Sequence, residues 1–352
     1  MTDTCLITTT IHTPQVLRQY RASDPDVLMI IAGDLQSPHD DIKALCKELG
    51  NAQYLDPFTQ QGLGYACSEV IGFRSIQRRN IALLEALRAG ADVVLSVDDD
   101  NAPCHGHYFA GLRQSFAAPM GMLGVGSDGW FNLGDHAAPE YFYRGFPFSL
   151  RQRSVIYHDC EIIQAKARRV GMVNGLIYGD PDINAIDRYS DGGPRVTGYS
   201  LGERDDYPAG LDGIYVNPRT TWTPINSQNT AYVRDLAPLA FVLPGIGRYD
   251  DIWASFVALR IMETTDYHVY FGEPSVVQER NPHHWIIDLE REIYGMKHTE
   301  AFCQGLKETR LKDGESVLDA LDRIRLGPAA ALLPPQTREF MAAWGDDVAR
   351  VL

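Results

Sequence analysis

The sequence predicts an α/β protein, a mixed and mostly parallel sheet flanked by helices, with a helical appendage at its C-terminal end. Three observations carry that expectation. Short apolar runs alternate with helical patterns through the first half, the mark of strands joined by covering helices. The run ADVVLSV is a continuous apolar strand pattern that ends abruptly in three carboxylates. Beyond Trp285 the pattern turns helical and stays so.

Taken in order, strands are expected at Leu6 to Thr10, Val27 to Ala32 and Asp92 to Val97. Between the last two, Ile76 to Leu87 reads as an amphipathic helix with Ile76, Leu83, Leu84 and Leu87 inward and Gln77, Arg78 and Glu85 outward. From Gly192 to Pro224 the chain is rich in Gly, Pro, Asp and Tyr and reads as loops and short strands, a plausible lid. Helical segments are expected near Asp288 to Tyr294, Ser316 to Arg325 and Thr337 to Leu352. The division that follows is a catalytic unit over 1–285 and a helical region over 286–352 packed on it.

The 352 residues are 45% hydrophobic and 22% charged, an ordinary balance for a folded chain. A formal net charge of −14 opposes binding to nucleic-acid phosphates, which needs lysine and arginine to displace counterions. No apolar run approaches the ~20 residues of a membrane span. The six cysteines lack paired spacing and read as reduced thiols, and the first residues read as a strand, not a signal peptide. A cytoplasmic location is expected. An acidic protein that takes an anionic ligand must supply local positive charge, from a metal ion or clustered arginines.

Three acidic groups answer to that need. Asp98, Asp99 and Asp100 follow the strand VVLSV, where ligands of open α/β sheets bind. Their mutual repulsion is relieved by a hard cation such as Mn²⁺ or Mg²⁺ that also bridges diphosphate oxygens. Strand alternation sends Asp98 and Asp100 one way and Asp99 the other. A solvated acidic turn is the competing reading. Asp250 and Asp251 open a helix in GRYDDIW, where they either cap it or stand beside a sugar as hydroxyl binders or a base. Asp180, Asp182 and Asp187 in GLIYGDPDINAIDR either hold sugar hydroxyls or form the turn at Asp-Pro. Arginines in FRSIQRRN (Arg74, Arg78, Arg79) and YRGFPFSLRQR (Arg144, Arg151, Arg153) either grip phosphate in bidentate fashion or solvate a helix face.

A DxD-type motif at a strand end is similar to the metal site of GT-A glycosyltransferases. More of the chain resembles the reversibly glycosylated polypeptides, the plant UDP-arabinopyranose mutases. RGFPFSLR differs from that family's pattern by one aromatic, VDDDN matches its DDD strand end, GRYDDIW its second DD segment, and GLIYGDPDINA loosely its GLWLNIPDYDA, all four in the family's order. The resemblance implies a GT-A-like (Rossmann-like) fold, a nucleotide diphosphate sugar as ligand, Mn²⁺ or Mg²⁺ as cofactor, and pyranose to furanose interconversion. Bacterial relatives acting on GDP-linked L-sugars tilt the expected donor slightly to a GDP-L-hexose such as GDP-L-galactose over UDP-arabinose. A homo-oligomer is admitted.

Carried onto this chain, the resemblance makes Asp98, Asp99 and Asp100 the metal cluster and Asp250 and Asp251 the sugar-side acids, and matches Arg151 to the arginine that becomes reversibly glycosylated. Arg151 is then either the covalent acceptor or an electrostatic clamp on the diphosphate. The chain departs from the family after SLR, where a longer segment brings Arg168 as a rival arginine. It departs again at GEPSVV, which leads to Gln278 instead of a histidine and leaves His283 as a candidate metal ligand. Nucleotide and sugar contacts are assigned to Arg74, Arg78, Asp98, Asp99, Asp180, Asp182, Asn229 and Arg248. The alternatives are a GT-A glycosyltransferase with a separate acceptor and a non-catalytic nucleotide-sugar-binding subunit.

Overall fold

The computed structural model describes residues 4–117, 121–126, 128–151, 161–163, 169–191, 193–199, 213–278 and 284–352. Thirteen strands are found among them: β1 (Thr4–Thr10), β2 (Leu28–Gly33), β3 (Ala52–Leu55), β4 (Val93–Val97), β5 (Asn101–Pro103), β6 (Gly121–Leu123), β7 (Ala137–Ala138), β8 (Glu161–Ile163), β9 (Arg169–Gly179), β10 (Gly198–Tyr199), β11 (Gly213–Val216), β12 (Asn229–Val233) and β13 (Tyr267–Gln278). Eleven of them form one sheet in the order β3-β2-β1-β4-β12-β9-β13-β11-β6-β8, with β5 paired to β13. The first three expected strands are present within two residues of their predicted ends.

The sheet is parallel through β1, β2, β3 and β4 and becomes mixed at β12, which runs antiparallel to both β4 and β9. That reversal has a consequence for function. Asn229, the first residue of β12, lies opposite Val97, the last of β4, while β9 and β13 run on together to Gly179 and Gln278. The carboxyl ends of β1, β2, β4, β9 and β13 and the start of β12 therefore share one edge of the sheet, where open α/β sheets place ligands.

One helix departs from its expected form. Ile76–Arg78 is a single 3₁₀ turn, and the α-helix proper is Arg79–Arg88. Ile76 is exposed, whereas Arg78, Arg79, Asn80 and Glu85 are buried. Periodicity misled here because the helix is covered on both sides, by β1 and β2 beneath and by the C-terminal helix Pro335–Val351 above. Its polar residues are matched: Glu85 accepts from Tyr65 at 2.6 Å, and the Asn80 amide pairs both ways with the Val242 backbone at 2.8 Å.

The C-terminal helices are Trp285–Glu308, Val317–Leu326 and Pro335–Val351, the first extending well past its predicted end. They share a core with the sheet, since Phe302, Leu306, Phe340 and Trp344 join the cluster that contains Ile7 and Ile30. Trp253 stacks on Phe302 with ring centroids 4.1 Å apart and donates to Thr299 at 2.9 Å. Each such buried aromatic contributes about 2–3 kcal/mol of hydrophobic stabilisation. The helix Pro335–Val351 also grips the segment ahead of Asp250, through Thr337 to the Pro244 carbonyl at 2.6 Å and Trp344 to the Pro238 carbonyl at 2.9 Å.

Candidate functional site

The three aspartates after β4 diverge instead of alternating, because the strand ends at Val97 and the chain turns. Asp98 Oδ1 accepts from Arg79 Nη2 at 2.5 Å, Asp99 accepts from the Thr10 hydroxyl at the end of β1, and Asp100 lies 3.3 Å from the Gln278 amide nitrogen. Burial, first of all, pushes the Asp99 carboxyl up, with Asp98 adding to it. All three reach the surface in part. Among the described residues no three His, Cys, Asp or Glu side chains converge on one point. One or two carboxylates with a ligand's phosphate oxygens nevertheless suffice for Mg²⁺, which keeps several waters, so the donor set at Asp98 and Asp100 fits a hard divalent ion.

A short bridge links this turn to the second acidic pair. Arg79 Nη1 donates to Ser227 Oγ at 3.1 Å and to its carbonyl at 3.2 Å, and Ser227 in turn donates its N–H to Asp251 Oδ2 at 3.1 Å. Asp251 Oδ1 also accepts from Arg144 Nη2 at 3.0 Å, and Arg144 holds Asp182 with two bonds, at 2.7 and 2.9 Å. Burial works against the charge on Arg144, but the Asp182 and Asp251 carboxylates outweigh it and hold the guanidinium well above its usual range. Its Nη1 is buried without a hydrogen-bond partner among the described residues.

Asp250 differs from its neighbour. It accepts from Gln77 Nε2 at 2.7 Å and from the Asp251 N–H at 3.0 Å, with no arginine among the described residues on its oxygens. Burial, then the adjacent Asp251 charge, push its carboxyl up to about 7. Two glycines make this packing possible. Gly247 has φ +74°, and a Cβ there meets the Arg291 carbonyl at 2.2 Å; Gly145 has φ +89°, and a Cβ meets Ile252 at 2.4 Å. The RGFPF and GRYDDIW segments thus interlock.

The third wing carries Arg151. Its Nη1 forks onto both Asp187 oxygens at 2.9 Å, and its guanidinium lies 4.0 Å from the Phe148 ring centre and 4.9 Å from that of Phe142. Nε and Nη2 are buried with no hydrogen-bond partner among the described residues. Asn184 joins this wing to Asp250's neighbour, donating to Asp187 at 3.3 Å and accepting from Tyr249 at 2.5 Å.

Other predicted residues stand elsewhere. Arg78 is wholly buried and bonded to Gln60 and Ser68, so it is Arg79, one residue on, that faces the aspartates. Arg74 is exposed and held at φ +61° by Asp34, which accepts the N–H groups of Arg74 and Ser75 at 2.8 Å. Asn229 sits at the right edge of the sheet but turns its side chain to Tyr108 and Ser275. Arg248 is engaged by Glu292 at 3.0 Å and Asp288 at 3.5 Å, and Asp180 by Arg188 at 2.5 Å. Arg168 and His283 lie outside the described residues. Sequence reasoning passed over Gln77 and Ser227; neither side chain is charged, and only the fold brings them to the carboxylates.

No protein-family model matches the chain. It is similar to UDP-arabinopyranose mutase 2 of Arabidopsis thaliana, 27% identical over 178 residues that make up 48% of this chain and 42% of that protein. The match thus spans less than half of the relative's length. Among solved structures it is similar to a mycobacterial protein (TM-score 0.39, 10% identity, 84% of this chain and 74% of that one). A second is glucosyl-3-phosphoglycerate synthase from Mycobacterium tuberculosis in complex with Mg²⁺ and UDP (TM-score 0.39, 12% identity, 86% and 77%). Among the described residues no helix is long and apolar enough to cross a membrane.

Proposed function

We propose that this chain is a metal-dependent enzyme of nucleotide sugars, with a GT-A-like arrangement, that interconverts pyranose and furanose forms of a sugar held on a nucleoside diphosphate. The observation that carries this reading is the Arg79–Ser227 bridge, which sets a metal-competent aspartate turn beside a second carboxylate pair at one sheet edge. The partial similarity to a UDP-arabinopyranose mutase supports it.

In this reading Asp98 and Asp100 would hold a divalent ion, whose chemistry there would be to offset charge on a diphosphate. Arg144, Asp182 and Asp251 form a preorganised polar wall against the sugar, so that no reorientation is needed when positive charge develops at its anomeric carbon. Arg151 retains two unsatisfied N–H groups between aromatic rings, enough to hold a migrating diphosphate or to meet the sugar itself. Glu292, which orders Arg248 and the Ala185 N–H, keeps the wing rigid.

The test is incubation of the purified chain with Mn²⁺ and a panel of UDP-arabinose and GDP-L-hexoses, without acceptor, followed by NMR. A furanose isomer formed reversibly supports the reading. Free nucleoside diphosphate as sole product, or isomers unchanged until an acceptor is added, points to transfer or hydrolysis instead.

A further inference from the structure

The two carboxylates that open the helix Asp250–Met262 are neighbours in sequence, yet the fold gives them opposite surroundings. Asp251 is the counter-charge of Arg144 at 3.0 Å and takes the Ser227 N–H and hydroxyl as well. Asp250 receives, among the described residues, only neutral donors: the Gln77 amide at 2.7 Å and the Asp251 N–H at 3.0 Å. The Gln77 amide is itself oriented, because the Ser75 hydroxyl donates to its Oε1 and so leaves Nε2 for Asp250. Ser75 is in turn fixed by Asp34 through its N–H at 2.8 Å. An independent feature points to a ligand here: among the described residues Arg144, whose side chain is 7% exposed, has no hydrogen-bond partner for its Nη1 beside the pair.

We infer that Gln77 and Arg144 divide the pair into a proton-exchanging carboxyl, Asp250, and a fixed counter-ion, Asp251, with Gln77 as the positioning residue that aims Asp250 at the ligand. This rests on the proposed nucleotide-sugar function for its chemistry, but not for its test. Ring interchange needs one proton to leave the hydroxyl that adds to the anomeric carbon and one to reach the ring oxygen that departs from it, with no net gain or loss. A carboxyl half-ionised near neutral pH can do both, whereas one committed to a guanidinium can do neither. The charged groups acting on Asp250 are Asp251 on its own helix, Arg144 from the RGFPF segment and Arg248 from the turn before it. They act against one another, and burial adds to Asp251 in favouring the neutral form.

The experiment is ¹³C NMR titration of the aspartate side-chain carboxyls in the ligand-free protein, from pH 4 to 9. One carboxyl should titrate near neutrality and vanish from the spectrum of Asp250→Asn. Asp251→Asn should move that midpoint down by about one unit or more, as the like charge is removed, and Gln77→Leu should move it up by about half a unit to one, as a donor to the charged form is lost. Should Asp250→Asn fold poorly, the opposite shifts in the other two variants identify the carboxyl without it. No aspartate titrating near neutrality, or a midpoint indifferent to both substitutions, overturns the inference. Because the titration needs no substrate, it succeeds or fails apart from the proposed reaction. If the reaction holds, the acidic limb of kcat/KM should follow the same midpoint and shift with Gln77→Leu, which a merely structural glutamine would leave in place.

Discussion

Arg79 Nη2 lies 2.5 Å from Asp98 Oδ1, and the same guanidinium reaches Ser96 and Ser227, so one buried arginine ties the aspartate turn to the segment that carries Ser227. Its side chain is 2% exposed against 20% for Asp98. Removing it by Arg79→Met leaves Asp98 without its ion pair, and a loss of roughly 3 kcal/mol in urea unfolding is expected, the scale for breaking a buried pair from one side. Adding Asp98→Asn to Arg79→Met should recover part of that loss. Simple additivity of the two would deny the coupling.

Metal binding should depend on Asp100. Calorimetric titration of Mn²⁺ in the presence of UDP or GDP is expected to weaken by roughly tenfold or more on Asp100→Asn, while thermal unfolding barely changes because Asp100 is a partly exposed turn residue. Unchanged metal-dependent nucleotide binding removes the aspartate turn from the assignment.

Asp250 makes stability depend on pH in a stated direction. Its folded carboxyl is raised to about 7, above an unfolded value of ~3.9, so the folded state binds more protons between those values. Its contribution is therefore most favourable below the unfolded value and is lost as pH rises through about 7. Asp250→Asn should flatten this part of the stability profile, as read by denaturant midpoints at several pH values. An unaltered slope contradicts the raised carboxyl.

Arg151→Lys should fail in catalysis by about 100-fold or more, since lysine keeps the charge and loses the planar fork that holds Asp187 while presenting two further N–H groups. If Arg151 is a covalent acceptor, donor alone should add one sugar mass to its peptide, and the substitution should abolish the adduct. If it is a clamp, turnover falls with no adduct in either protein. Near wild-type turnover rejects both roles and leaves Arg168 as the remaining candidate.

The C-terminal helix should prove integral to the site's support. Asp347, buried, accepts the N–H groups of Ala66 and Cys67 at 3.1 and 2.8 Å at the start of the helix Ala66–Ile71. Asp347→Ala is expected to cost about 1–2 kcal/mol, as for loss of a helix cap. A shift of the denaturation midpoint smaller than a few tenths of a kcal/mol equivalent contradicts that anchoring.

The sequence by itself determined β1, β2 and β4 and the places along the chain where carboxylates gather. Val93–Val97 could only be buried, and the three aspartates that follow could only stand at its end, because a strand's apolar pattern fixes where it stops. GRYDDIW likewise announced a helix start at Asp250 and Asp251. What the tertiary structure alone decided was which of several equivalent charges meet. Arg78 and Arg79 are adjacent in sequence, chemically alike and both buried, but a helical residue turns ~100° from its neighbour, so one meets Gln60 and Ser68 and the other reaches Asp98. Asp250 and Asp251 part in the same way, one to Gln77 and one to Arg144. Ser227 and Gln77 carry no charge pattern at all; they matter because β12 runs back beside β4 and the turn Ile76–Arg78 packs near the helix Asp250–Met262, juxtapositions that arise from long-range pairing and leave no local mark in the chain.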